Sequence, residues 1–507
     1  MTNSFSIPVE CQLSTAEQSR EMDSKTINEF GIDGFTLMEI AASSAASHIK
    51  NLQGNEKSGL FVCGKGNNAG DALAVARYLI NDSQHKVAIW FVLGDDDLSR
   101  DAEKNLTLLK KLKKKGARVE YITELESLDE GMFDYIVDGI FGTGLNSDLR
   151  GNLPQIIKKI NAFSLPVYSM DVPSGLHADS GEILKECVKA DYTFTFGSNK
   201  IGLHWKKSRE YTGKVVFCNL PFPSTYRNWD AVLINQTLME SIPEVKRKAR
   251  HKYDGGVVHI MAGSAGLTGA AIMSAKSAWK QGAGAVFLYA PKALLSTYES
   301  ALPNIIKVGV GKESDTHFKE EHAEAIVQSV KNKKGVLLAG PGIGTTSETG
   351  KCLLSVLEQH QGFTILDADA LSFWDILNES KISKQQKQNW LLTPHIGEAS
   401  NYLDGEFSND YERFEWAKRF VSQSQSSLLM KGNPTILSFI NGNNFVTGYD
   451  TSMFSRAGFG DVLSGALASF TAITENSELA SVSALYNGYK KFHKHQDTEP
   501  FGPEHLL

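Results

Sequence analysis

Apolar residues in this chain gather in short unbroken runs, each closed by a glycine-rich turn and several followed by a segment whose apolar positions recur at helical spacing. The clearest runs are 60–63 (LFVC), 135–137 (YIV), Val257–Met261 (VVHIM), Val336–Ala339 (VLLA) and Thr364–Leu366 (TIL). Runs this short, alternating with helix-like stretches, predict βαβ units and a parallel sheet. Ligands of such sheets sit beyond the carboxyl ends of the strands, so the loops after these runs are where chemistry is expected. The rhythm breaks after the strand-like VVFCNL. There PFPSTYRNWD carries two prolines and no periodicity, and the polar-basic stretch PEVKRKARHKYDGG follows. This places a domain boundary within 222–245 and divides the chain into halves 1–230 and 231–507. The lysine-rich KKLKKK (110–115) closes a helix-like segment, where cations complement the helix dipole, and reads as a solvated helix end.

Length supports the division, because 507 residues exceed what one core of roughly 100–200 residues organises. A content of 41% hydrophobic and 22% charged residues is that of a globular chain, and a net charge of -6 offers no positive surface for nucleic acid or an anionic membrane. Small-molecule chemistry is the remaining expectation. The five cysteines (Cys11, Cys63, Cys187, Cys218 and Cys352) are scattered, odd in number and without CxxC spacing. They suggest neither a disulfide framework nor a thiolate zinc site, and a reducing compartment fits. With no signal-like N-terminus and no stretch of ~20 apolar residues, the reading is a cytoplasmic protein with no membrane partner.

In the first half, the run ending at Cys63 leads into GKGNNAGDA and a helix-like ALAVARYLI. A glycine-rich strand-to-helix turn presents backbone N–H groups suited to phosphate, although a tight turn without ligand is the alternative on this segment alone. Two further strand ends carry VDGIFGTGLNSDLRG and MDVPSGLHADSG, so three polar turns can converge on one crevice. With these blocks in this order, and TFTFGSNKIGLHW after them, residues 10–220 resemble the NAD(P)H-hydrate epimerase family. The resemblance implies a Rossmann-like three-layer sandwich in which Asn67, Asn68, Ala69, Gly70 and Asp71 line the nucleotide site. It implies that Gly142, Thr143, Gly144, Leu145, Asn146, Ser147 and Asp148 cradle the phosphates. It further implies a potassium ion held by Asn68, Asp138 and Ser174, and Asp171 as the acid/base group exchanging the R and S hydrates. An Asp that merely caps its turn is the structural alternative for Asp171. The chain departs from the family pattern at Ala69 and Ala72, where glycine is usual, and at EIAA (39–42), where Ile40 replaces asparagine. An alanine held in the left-handed conformation would cost about 1–2 kcal/mol, which makes weakened epimerase activity an expectation.

The second half opens with VVHIMAGSAGLTGAAIMSAKSAWK, whose small residues also suit plain close packing of helix on sheet. AGPGIG, LDADAL, LLTPHIGEAS, LMKGNPTIL and RAGFGDVLSG follow in order. In the last, Gly458 and Gly460 precede Asp461 at a helix start, so amide N–H groups and a carboxylate meet an incoming phosphate together. A glycine-rich cap with an incidental Asp is the alternative for that motif alone. The ordered set resembles the ADP-dependent NAD(P)H-hydrate dehydratase family, a ribokinase-like branch, over about residues 245–495. That resemblance implies a ribokinase-like three-layer α/β/α domain. Lys431, Gly432, Asn433, Pro434, Thr435 and Gly460 would bind ADP with magnesium, and Ala270, Gly342, His395 and Asp461 would contact hydrated NADH or NADPH. Asp461 is the expected base, while His395 is also readable as a satisfied structural group beside Pro394. Together the resemblances imply a homo-oligomeric two-step repair enzyme. The rivals are a ribokinase-like small-molecule kinase in the second half and a nonenzymatic nucleotide-binding module in the first.

Overall fold

The computed structural model describes residues 6–123, 129–245, 255–495 and 500–507. Of the polar-basic stretch read between the halves, 246–254 lie outside the described residues. The chain forms two compact units, one of Ile7–Val232 and one whose main body is Leu233–Leu507.

In the first unit the strands are β1 (Gln12–Ser14), β2 (Ser58–Cys63), β3 (Lys86–Phe91), β4 (Val119–Ile122), β5 (Tyr135–Gly139), β6 (Val167–Met170), β7 (Tyr192–Phe196), β8 (Asn199–Lys200) and β9 (Lys214–Cys218), and β10 (Ala231–Ile234) starts at its end and runs across the boundary. Seven of them build an all-parallel sheet in the order β4-β3-β2-β5-β6-β7-β9. Period-two alternation explains why both faces are covered. Leu60, Val62, Ile136 and Val167 face one way and pack with Ile156, Ile157 and Ile160 of the Leu153–Ala162 helix. Phe61, Cys63, Tyr135, Val137 and Tyr168 face the other and meet the helices Gly34–Gln53, Asn67–Ser83 and Arg100–Lys114. Helices on both faces of a parallel sheet make the expected three layers, and a strand buried on both sides reads as an unbroken apolar run. KKLKKK closes the Arg100–Lys114 helix with exposed lysines, as its sequence predicts. Away from the main sheet, β1 pairs with β8 in parallel and with β10 in antiparallel register.

The second unit repeats the design with β11 (Val257–Met261), β12 (Ala285–Pro291), β13 (Ile306–Val310), β14 (Val336–Ala339), β15 (Thr364–Leu366), β16 (Trp390–Leu392), β17 (Ser427–Met430), β18 (Ile436–Ser438) and β19 (Asn444–Thr447). Its order is β13-β12-β11-β14-β15-β16-β17-β18-β19, parallel through β17 and antiparallel beyond. The alanine-rich stretch forms the Thr268–Lys280 helix and packs on the Phe459–Thr474 helix. Small residues set their spacing: a Cβ on Gly465 would fall 2.2 Å from the Ser274 carbonyl oxygen, and the Ser277 hydroxyl donates to the Val462 carbonyl at 2.6 Å. Among the described residues no helix is long and apolar enough to cross a membrane.

Candidate active sites

In the first unit, strand order reverses between β2 and β5, which opens a crevice at their carboxyl ends. The loop after β2 is short, and the Asn67–Ser83 helix begins directly behind Gly66, so Asn67 to Asp71 are its first turn. Ala69 and Ala72 therefore have helical dihedrals and are absent from the positive-φ positions. The expected left-handed cost does not arise, because the turn ends before either residue. Both alanines are buried in the core, and Gly70 faces Met38 and Ala102 of the neighbouring helices. Asn68 is different: it is buried, and neither its amide oxygen nor its nitrogen has a hydrogen-bond partner. At the EIAA block Glu39 pairs with Arg77 and accepts from the Tyr78 hydroxyl, while Ile40 is 39% exposed.

Asp138 is the next-to-last residue of β5 and lies opposite Ser169 of β6. Its fully buried carboxylate accepts from the Ile140 N–H (3.2 Å), the Ser169 hydroxyl (2.9 Å), the Ser174 N–H (2.9 Å) and the Ser174 hydroxyl (2.5 Å). Burial raises its pKa, and these donors oppose the rise. Ser174 also accepts from the Phe141 N–H at 2.9 Å, which locks the turn after β6 to the loop after β5. That second loop runs outward: Gly144, Asn146, Ser147 and Asp148 are exposed, Thr143 is half-buried, and Leu145 packs on the core.

Asp171 follows β6 with φ 61°. A Cβ on Gly142 would lie 3.2 Å from Asp171 Oδ2 and 3.1 Å from Asn68 Oδ1, so the bare glycine keeps open the space that these two side chains border. The structure thus brings together Asn68, Gly142 and Asp171 from three successive motifs. It adds two residues that the sequence reading missed, Lys200 and Asp23. Lys200 Nζ donates to Asp171 Oδ1 at 2.5 Å. Burial pushes the Asp23 carboxyl up to about 6, with Lys200 lowering it and Asp171 raising it. Asp71, on the same helix as Asn68, is raised well above the usual range by burial and then by Asp171 and Asp23. The available signal was a single lysine inside the otherwise buried stretch TFTFGSNKIGLH.

In the second unit the reversal lies between β11 and β14, and polar groups gather at the carboxyl ends of the strands beyond. Gly458, with φ 93°, caps the Phe459–Thr474 helix, a conformation that glycine adopts without a Cβ penalty. Asp461 is the third residue of that helix. Burial, with Asp367 next, pushes its carboxyl up to about 7 against the pull of Lys431, and Asp369 and Glu398 add to the rise. Lys431 follows β17 and donates to Asp367 Oδ1 at 2.8 Å. Its Nζ would lie 3.5 Å from a Cβ on Gly460, beside the helix start. Burial alone would lower the Lys431 pKa, but Asp367, Glu398 and Asp461 outweigh it and raise it. Asp367 also accepts from the Thr393 hydroxyl at 2.8 Å, so the ends of β15, β16 and β17 share one network.

The loop after Lys431 is tightly held. Buried Arg413 donates to the Pro434 carbonyl at 2.6 Å and to Asp410 at 3.0 Å. Thr435 and Thr451 hydroxyls both donate to the Gly432 carbonyl, and Asn433 donates to Asp450 at 2.6 Å. His395 caps the Ile396–Tyr402 helix: its Nδ1 accepts from the Glu398 N–H at 3.1 Å, and its own N–H donates to Glu398 at 2.7 Å. Its side chain is nonetheless 58% exposed, so the structural role leaves the ring edge open. Gly342 and Ala270 are neighbours, since a Cβ on the first would lie 3.2 Å from that of the second. Met273, one turn beyond Ala270, lies against Gly458 and ties this pair to the helix start. Asp367, Asp369, Glu398 and Arg413 are the residues that sequence reasoning passed over, although LDADAL and TPHIGE already contained three of them.

Comparison with known proteins divides the chain in the same order as the two sites. The YjeF-related protein N-terminus family matches residues 34–202, and the NAD(P)H-hydrate dehydratase family matches residues 258–491. A bifunctional NAD(P)H-hydrate repair enzyme from Dictyoglomus turgidum is 32% identical over 91% of this chain and 89% of the relative. A relative of the same description from Salinibacter ruber is 29% identical over 94% and 90%. Among solved structures, an ADP/ATP-dependent NAD(P)H-hydrate dehydratase from Bacillus subtilis, co-crystallised with ATP and Mg2+, is 21% identical at a TM-score of 0.42, covering 52% of this chain and 90% of that one.

Proposed function

We propose, on the premise that this chain belongs to the family of bifunctional NAD(P)H-hydrate repair enzymes, that its first unit interconverts R and S hydrates through Asp171 and its second dehydrates the S form through Asp461. The observation that carries the reading is the second helix start. Amide N–H groups at Gly458 to Gly460, the Lys431 ammonium and a carboxyl titrating at about 7 lie together there. Phosphoryl transfer needs this combination, because charge on the moving group is stabilised by donors already in place while a base near neutrality takes the hydroxyl proton. ADP is the phosphoryl donor in this reading. Its terminal phosphoryl passes to the C6 hydroxyl oxygen of the hydrate, and the hydroxyl proton passes to Asp461. The C6–O bond then breaks, phosphate departs with the electron pair, a ring proton is lost and the dihydronicotinamide is restored beside AMP. Lys431 with Gly432 to Thr435 and Gly460 holds the nucleotide, and Ala270, Gly342 and His395 border the hydrate. Asp369 and Glu398 would offer carboxylate oxygens to a magnesium ion, which would neutralise charge on the nucleotide phosphates.

In the first unit Asp171 gives a proton to the departing C6 hydroxyl, which leaves as water, and takes one back when water returns on the other face. The loop 142–148 receives the phosphates of the dinucleotide. The unpartnered amide of buried Asn68 fits a potassium ion, since a hard cation favours oxygen donors, and Asp138 and Ser174 would share their oxygens with it. When bound, that ion supplies positive charge beside the phosphates. The protein acts in the cytoplasm as a homo-oligomer in this reading.

The test is recovery of reduced-nicotinamide absorbance from a mixture of both hydrates with ADP, magnesium and potassium. Wild type recovers all of it, Asp461→Ala none, and Asp171→Ala stalls near the S fraction. A stable phosphorylated product without recovery would instead identify a kinase.

A further inference from the structure

A lysine that is 1% exposed is rare, because burial strips the ammonium of water unless partners replace it. Lys200 is such a residue, and its partners are specific. Its Nζ donates to Asp171 Oδ1 at 2.5 Å and to the Phe196 carbonyl at 2.8 Å. The backbone carrying it is fixed from two sides, since β8 pairs with β1 through Ser14↔Lys200 and the Ser198 hydroxyl donates to Ser19 at 2.9 Å. Asp171 is held at the same oxygen by the Phe196 N–H at 3.4 Å. Its two oxygens therefore differ: Oδ1 is anchored, and Oδ2 borders the space over Gly142 with Asn68 opposite.

We propose that Lys200 is a positioning residue for epimerisation, anchoring one oxygen of Asp171 so that the other stays aimed at the reacting carbon over Gly142. The proposal rests on Asp171 being the acid/base group. It explains why a cation stands among acidic neighbours. Asp23 acts on it from the Ala16–Lys25 helix, Asp71 from the Asn67–Ser83 helix and the Cys218 thiol from β9. Without the lysine, a carboxylate among other carboxylates would swing away from them. A misplacement of about 1 Å at a reacting group costs about a hundredfold in rate.

The experiment measures epimerisation of the R hydrate by the full-length chain carrying Lys200→Met, Lys200→Arg, Asp171→Asn and the double change Lys200→Met with Asp171→Asn. Dehydration of the S hydrate by the same preparations serves as the control for intact protein. Positioning predicts that Lys200→Met lowers kcat by about a hundredfold with KM within about threefold, and that Lys200→Arg, which can still pair, stays within about tenfold of wild type. With Asp171 already neutral, removing Lys200 should cost less than about threefold more, because contacts acting through one group are not additive. A wild-type kcat in Lys200→Met overturns the proposal, and so does a full hundredfold loss in the Asp171→Asn background. A wild-type rate in Asp171→Asn removes the underlying reading of Asp171 itself, whatever Lys200 does.

Discussion

Replacing Asp461 by asparagine should abolish dehydration and at the same time stabilise the second unit, by an amount that grows as pH rises from about 4 to about 7. The substitution keeps shape and removes a charge that the fold disfavours. In the folded chain burial and Asp367 push this carboxyl from 3.8 up to about 7, while in the unfolded chain it titrates near 3.9. A gap of about three pH units, at about 1.4 kcal/mol each, sets a ceiling of about 4 kcal/mol, and partial solvent screening brings the expectation to about 2–3 kcal/mol. The direction follows from proton counting. Between about pH 4 and 7 the folded state binds more protons than the unfolded one, so stability falls as pH rises and is level above about 7. Below about pH 4 both states are protonated and the carboxyl contributes nothing. The Asn variant escapes the loss, so its melting temperature should exceed that of wild type by about 4–10 °C at pH 8 and match it near pH 4. Thermal unfolding at the two pH values, with the S-hydrate assay alongside, checks this. In wild type, dehydration should rise with pH through about 7, as a base that must be ionised requires. An Asn variant that is equally stabilised at both pH values, or that retains activity, would refute the reasoning.

Three glycines give sharper steric tests. Gly142→Ala places a methyl 3.1–3.2 Å from Asn68 Oδ1 and Asp171 Oδ2 without backbone strain, so epimerase kcat should drop at least about tenfold while the melting temperature barely moves. Gly432→Ala drives a Cβ to 2.0 Å from Nη1 of buried Arg413, which should destabilise by about 1–3 kcal/mol and raise the KM for ADP, read by initial rates and urea unfolding. Gly465→Ala meets the Ser274 carbonyl at 2.2 Å, forcing two helices apart at a similar cost. Because the clash falls between the two packed helices, one turn beyond Asp461, unfolding midpoints should respond more than KM.

Both sheets were legible because strands buried on two faces leave unbroken apolar runs, and every run singled out in the sequence lies within a strand. Motif glycines were legible as turns, yet not as conformations: Ala69 and Ala72 looked costly only while the loop was assumed to reach them, and one turn of helix removes the objection. Lys200, Asp23 and Asp367 were hidden for another reason. Their importance comes from pairing across strands and helices distant in sequence, and a lone charge in an apolar stretch does not reveal its partner. His395 shows the opposite case, where two readings of one residue are both satisfied, since its ring caps a helix and still offers an exposed edge.

The two units use a lysine in contrasting ways, and the contrast follows from what each carboxylate must do. In the first, Lys200 bonds directly to Asp171 and fixes its aim. In the second, Lys431 bonds to Asp367, and that pairing directs its ammonium bond away from Asp461. Burial, with Asp367 next, keeps Asp461 near 7, able to accept a proton at neutral pH, while the ammonium beside Gly460 remains placed for a phosphate. A lysine paired with the base itself would lower its pKa and weaken it as a proton acceptor. Removing Asp367's charge should therefore harm the second reaction indirectly, by freeing Lys431 to pair with Asp461. An Asp367→Asn variant whose dehydration optimum moves to lower pH as its maximal rate falls would support that account, and an unmoved optimum would count against it.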